Sequence, residues 1–118
     1  MATLATKKAN RGLQRVKAEV FKALGHPIRV AIAELLEGGE ACVCRIAQAI
    51  GAERSNVSRH LAVMVNAGVL TSRKEGLMVF YGLRTRCVLG FLACVESMLR
   101  EQIADNNRVL RGLPAARR

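Results

Sequence analysis

No apolar run in this 118-residue sequence exceeds nine residues, the longest being Cys87 to Val95. A bilayer span needs about 20, so length alone excludes a transmembrane helix. The basic N-terminus is not followed by the apolar stretch of a secretory signal. Both absences predict a cytoplasmic chain, in which four cysteines stand as reduced thiols rather than as a disulfide framework. No Cys-x-x-Cys is present, and Cys42, Cys44, Cys87 and Cys94 lack the spacing of a structural zinc site. A thiol enzyme would need a base and a substrate pocket beside its nucleophile. A chain with one thin core advertises neither, and the expectation is a protein that is not an enzyme.

Acidic residues are missing from both ends. Residues 1–17 carry Lys7, Lys8, Arg11, Arg15 and Lys17, and residues 106–118 carry Arg108, Arg111, Arg117 and Arg118, with no Asp or Glu in either segment. Between them, 18–105 hold ten basic and nine acidic groups, so the ends supply nine of the ten net positive charges. Such ends either aid solubility or follow nucleic-acid phosphates through a salt-sensitive attraction. The organisation predicted is a disordered basic tail over 1–11, one domain over 12–110 and a basic C-terminal tail over 111–118. No internal repeat or low-complexity tract interrupts it.

What the chain does contain is a helix-turn-helix pattern in CVCRIAQAIGAERSNVSRHL, Cys42 to Leu61. Counting Val43 as the first position, Ala47 falls fifth, where two helices need a small side chain between them. Gly51 falls ninth, where the turn needs positive φ, and Val57 falls fifteenth, where the second helix meets the first. Ile46 and Ile50 supply apolar neighbours. Helices are expected over about 43–50 and 54–67.

Upstream, Leu13, Val16, Val20 and Leu24, with Phe21 beside them, mark one face of a first helix. Gly25-His26-Pro27 stops it, and Pro27 suits the first turn of a second helix, Ile28 to Leu36. That helix should bury Ile28, Ala31, Ile32, Leu35 and Leu36 and end at Gly38-Gly39. Downstream, Val69 to Lys74 and Leu77 to Leu83 flank Glu75-Gly76 and read as a hairpin with a charged tip. A last helix, about Thr85 to Leu110, is apolar on more than one face through Val88, Leu89, Phe91, Leu92, Val95, Met98, Leu99 and Ile103. So small a domain cannot cover all of it, which predicts a homodimer formed by this helix and the first. The fold expected is mainly α with a β-hairpin wing, a winged helix-turn-helix in the order α-α-α-α-β-β-α.

Arg54, Ser55, Asn56, Ser58, Arg59 and His60 cluster at and on the second motif helix. Ser and Asn bond base edges or phosphates, and Arg grips guanine with two hydrogen bonds. Ser55 could equally cap the helix, Arg59 could anchor a phosphate, and His60 could pack rather than touch DNA. Arg73 and Lys74 at the wing are expected on backbone phosphates. A two-fold dimer favours operator DNA with an inverted repeat.

Cys42 and Cys44 cannot point the same way on a regular helix, because two residues turn it by roughly 200°. They converge if Cys42 precedes the helix in extended backbone, where thiolates also gain from the positive helix end. Thiolates select soft ions, among them Zn2+, Cd2+, Pb2+ and As(III). Alternatively, the two small side chains merely fill the helix start. Cys87 and Cys94 share a helix face but lie about 10 Å apart along the axis, too far to hold one ion without distortion.

Taken in order, LGHPIRVAIAELL, ACVCRIA, SNVSRHLAVMVNAGVL and SRKEGLMVFYGL resemble the ArsR/SmtB family of metal-responsive repressors over about residues 20–110. The CVC at the start of the third helix resembles the arsenic and cadmium/lead branches. The resemblance implies a homodimer that holds operator DNA when empty and releases it when an inducer binds. Three departures stand out. Ala47 occupies the place of the third cysteine in the arsenic branch's C-x-C-x-x-C. Residues 1–41 lack the N-terminal thiols of the cadmium/lead branch. Neither His26 nor His60 lies on the last helix, where the zinc branch places its ligands. The expectation is that Cys42 and Cys44 take a third thiolate from Cys94, or failing that Cys87. The inducer expected is As(III) or Sb(III), with Cd2+ or Pb2+ as the alternative and no organic cofactor. A thiol redox or persulfide sensor of the same fold is the rival reading. The sulfur-sensing relatives carry a cysteine in the second helix, where this chain has Arg29-Val30-Ala31-Ile32-Ala33.

Overall fold

The computed structural model describes residues 10–112. The calls on Lys7, Lys8, Arg117 and Arg118 lie outside the described residues. The chain divides into two compact units, one up to Arg86 and one from Cys87.

In the first unit, helix α1 spans Arg11–Leu24 and α2 spans Pro27–Leu35, followed by a short 3-10 turn at Leu36–Gly38. Strand β1 is Ala41–Cys42, α3 is Val43–Ile50, α4 is Arg54–Asn66, β2 is Leu70–Glu75 and β3 is Met78–Leu83. The second unit is helix α5, Cys87–Arg111. The order is the winged helix-turn-helix expected, with β1 added. Two residues carry no readable alternation, so this strand is invisible to periodicity. It pairs antiparallel with β3, Ala41 opposite Tyr81 and Cys42 opposite Phe80, giving the sheet order β1-β3-β2.

Local chemistry sets the boundaries. At the entry to α2, Pro27 occupies the first turn and the His26 Nδ1 accepts the Ile28 N–H at 3.1 Å. The α3–α4 turn is made by Gly51 at φ 77° and ψ 34°, whose N–H bonds to the Ala47 carbonyl at 2.9 Å. Only glycine adopts that left-handed conformation without strain. In the wing, Glu75 faces Met78, so the turn is Gly76-Leu77, one residue later than expected. Gly76 at φ 62° supplies the positive dihedral that a two-residue hairpin turn of type II′ places first.

The core lies where α2, α3 and α4 meet β2. Ile32, Leu36, Ile46, Val57, Leu61, Met64 and Leu70 are fully buried, each contributing about 1.5–3 kcal/mol of apolar transfer. Of the burials expected on α2, Ile28 and Ala31 are half-buried and one is corrected. Leu35 is exposed while Ala33 is buried, because the core-facing stripe of α2 runs Ile32-Ala33-Leu36 rather than through Leu35. On α1 only Ala23 and Leu24 are buried; Leu13 and Val16 remain open in the single chain. Helix α5 buries none of its residues. Among the described residues, no helix is long and apolar enough to cross a membrane.

Candidate nucleic-acid interface and thiol site

The inward face of α4 is Val57, Leu61 and Met64, all buried. That anchors the helix and turns the opposite side outward. Arg54, Ser55, Ser58 and Arg59 are exposed there, and Asn56 is half-buried at the edge. The i, i+3, i+4 spacing of Ser55, Ser58 and Arg59 places their hydroxyls and guanidinium on one strip. The helix starts at Arg54 with Glu53 as its cap residue, and no side chain caps it. Ser55 is therefore inside the first turn, and the capping role open to it in the sequence is not the one it takes.

His60 is engaged inward. Its Nδ1 accepts from the Arg29 Nε at 3.1 Å, and its ring stands 4.3 Å from that of His26, tilted by 42°. Burial lowers its pKa below the ordinary 6.5, and the nearby His26, Arg29 and Arg59 push it the same way. The packing role is the one the structure displays.

On the wing, Arg73 is paired within the chain: its Nε donates to both Glu40 oxygens, at 2.9 and 3.2 Å, and its Nη1 donates to Glu75. These carboxylates, Glu75 foremost, raise its pKa further, and its guanidinium lies 4.9 Å from the centre of the Phe80 ring. Lys74 is exposed beside it. Glu40 reaches Arg73 across β3 at Gly82, where an added Cβ would come within 3.0 Å of the Glu40 Cγ. Sequence spacing gave no signal for this contact, which joins residues 33 apart.

No disulfide joins the four cysteines. Cys42 is the residue before α3, with extended backbone at φ −82° and ψ 162°, and Cys44 lies exposed in the first turn. The pair therefore straddles the strand-to-helix junction, the arrangement under which two thiols separated by one residue can face a common ion. On α5, Cys87 and Cys94 are exposed. Among the described residues, no group of three or more His, Cys, Asp or Glu side chains is assembled for a metal.

Residues 26–72 match the family described as bacterial regulatory protein, arsR family. The HTH-type transcriptional regulator Rv0081 of Mycobacterium tuberculosis is 35% identical over 104 residues, covering 87% of this chain and 91% of the relative. The chain belongs to the arsR family. It is a DNA-binding transcriptional regulator with a winged helix-turn-helix, not an enzyme. The crystal structure of Rv0081 superposes with a TM-score of 0.70 at 34% identity, covering 80% of this chain and 95% of that one. The solution structure of the homodimeric winged helix-turn-helix DNA-binding domain Mb0332 of Mycobacterium bovis, a possible ArsR-family regulator, gives 0.71 at 31% identity, covering 87% and 94%. Over shorter segments the chain is similar to two resistance regulators. One is the cadmium resistance protein CadC homolog of Staphylococcus aureus, 45% identical over 67 residues, 56% of this chain and 55% of the relative. The other is the arsenical resistance operon repressor of Escherichia coli, 41% identical over 66 residues, 55% of this chain and 56% of the relative.

Proposed function

We propose that the protein is a cytoplasmic homodimeric repressor that holds an inverted-repeat operator when its thiols are empty and releases it when Cys42 and Cys44 capture a thiophilic ion. As(III) is the first candidate, Sb(III) the second, and Cd2+ or Pb2+ the alternative. The observation that carries this reading is the position of the thiol pair. One thiol sits in extended backbone and the other in the first turn of α3, immediately ahead of the helix that packs on α4. Similarity to arsenical and cadmium resistance regulators supports the class of inducer.

The dimer reading rests on uncovered apolar surface. Leu13 and Val16 on α1, and Met98, Leu99 and Ile103 on α5, are exposed in the single chain, and the similar Mb0332 domain is a homodimer. Arg54, Ser55, Asn56, Ser58 and Arg59 read or grip the operator, with Lys74 on phosphates.

Three-coordinate As(III) requires one thiolate more than α3 offers, and Cys94, with Cys87 second, is assigned that role. Capture by Cys42 also acts on the sheet, because Cys42 pairs with Phe80 of the wing. A tenfold loss of operator occupancy requires only about 1.4 kcal/mol of differential affinity between the two states.

The test is a titration of As(III), Sb(III), Cd2+ and Pb2+ against protein on a fluorescent operator, followed by anisotropy. Release by a stoichiometric trivalent metalloid is expected. Retention of the operator under all four ions overturns the inducer assignment, and release by oxidant or persulfide alone favours the thiol-redox reading.

A further inference from the structure

The sequence contains two histidines, and the fold brings their rings within 4.3 Å of each other. We propose that His26, Arg29 and His60 form a proton-sensitive clip that positions the recognition helix α4, so that acidification through the His60 imidazole weakens operator binding.

Both rings are committed as acceptors. His26 Nδ1 takes the Ile28 N–H at the start of α2, and His60 Nδ1 takes the Arg29 Nε. A ring that accepts at Nδ1 is neutral and carries its proton on Nε2. Arg29 extends the junction to a third helix, its Nη1 donating to the Lys22 and Ala23 carbonyls at 3.3 and 3.5 Å. Three helices thus meet at one guanidinium: the end of α1, the first turn of α2, and α4 one residue after Arg59.

Protonation breaks this arrangement in two ways. An imidazolium at His60 has no acceptor nitrogen, so the Arg29 bond is lost. A charged His60 is also repelled by Arg29 and Arg59 beside it. The charged groups around the pair are mostly of one sign: Lys22 on α1, Arg29 on α2 and Arg59 on α4. Glu19 of α1 lines the same open groove as Lys22 and Arg29, together with Val63 and Asn66 of α4. It is the acid available to draw Arg29 away once His60 lets go.

The direction follows from linkage. The positioned state holds His60 below its ordinary pKa of 6.5, so it binds fewer protons than a state in which the clip is open. Its advantage is fully present above 6.5 and is lost as pH falls from 6.5 through the depressed value. A difference of one pKa unit corresponds to about tenfold in the equilibrium per clip.

The experiment compares operator affinity at pH 7.5 and 5.5 for the full chain and for His60→Gln, His26→Asn and the double variant. Gln and Asn retain an acceptor oxygen but do not titrate in this range. Background protonation elsewhere is common to all four proteins, so the ratio of affinities isolates the clip. The wild type should lose roughly threefold to tenfold more than the double variant. Equal ratios for all four proteins overturn the proposal. Because the chain has two histidines, their ring resonances are assigned by the two single variants and titrated without DNA. A His60 midpoint at or above 6.5 overturns it independently of how well any variant folds.

Discussion

Removing the two carboxylates that hold Arg73 should convert it into a phosphate contact. In the structure Glu40 and Glu75 both accept from this guanidinium, and the side chains are half-exposed, 50% for Arg73 and 43% for Glu40. Pairs of that exposure contribute little to folding, so Glu40→Gln/Glu75→Gln should melt close to the wild type. Its effect should fall on DNA. Each phosphate newly neutralised steepens the slope of log K against log salt by about 0.9. One Arg73 per protomer therefore predicts a steepening of about 1.8 per dimer, with tighter operator binding at low salt. Since the substitutions also add positive charge, Glu34→Gln/Glu37→Gln is the control; it changes net charge equally and leaves Arg73 paired. Affinities measured by anisotropy at four or five salt concentrations give both slopes. If the two double variants share one slope, Arg73 does not reach phosphate when freed and the reasoning fails. Glu40→Gln alone should show a smaller effect, since Glu75 still holds the guanidinium.

Replacing Arg59 with alanine should weaken operator binding and, where a base is read, relax preference at one position by about 1–3 kcal/mol; an unchanged mobility-shift titration would remove Arg59 from the interface. Gly51→Ala forces a side chain into φ 77° and should cost about 1–2 kcal/mol in chemical denaturation, whereas a stability equal to wild type would show that the turn relaxes. Leu61→Ala empties a fully buried position behind the recognition strip and should cost about 2–5 kcal/mol. A loss well below that in the same assay would mean α4 closes over the cavity.

The parts of this fold that were legible are those in which one residue type answers one local demand. Ala47 between two helices, Gly51 in left-handed backbone and Val57 in the core locate the helix-turn-helix, and a glycine turn between β-prone runs locates the wing. Strand β1 escaped because Ala41 and Cys42 are too few to show a period; their pairing with Tyr81 and Phe80 depends on where β3 lies. The same holds for Glu40 and Arg73, and for Arg29 and His60, which are 33 and 31 residues apart. No local pattern encodes such contacts. Arg73 and Lys74 are adjacent in sequence, yet Arg73 is paired with Glu40 and Glu75 while Lys74 stands exposed. For the thiols, the extended backbone at Cys42 was foreseeable from the geometry of two cysteines one residue apart. The proposed third ligand is a different matter: Ala47 stands where the arsenic branch's pattern would place a cysteine, and spacing alone names no replacement.

The most direct test of the inducer site is operator release by As(III) from the wild type and from Cys42→Ser/Cys44→Ser, measured at equal protein and operator concentrations. The account predicts release of the wild type near stoichiometric metalloid and none from the double variant, with both binding operator alike before addition. Release that survives loss of both thiols would contradict it.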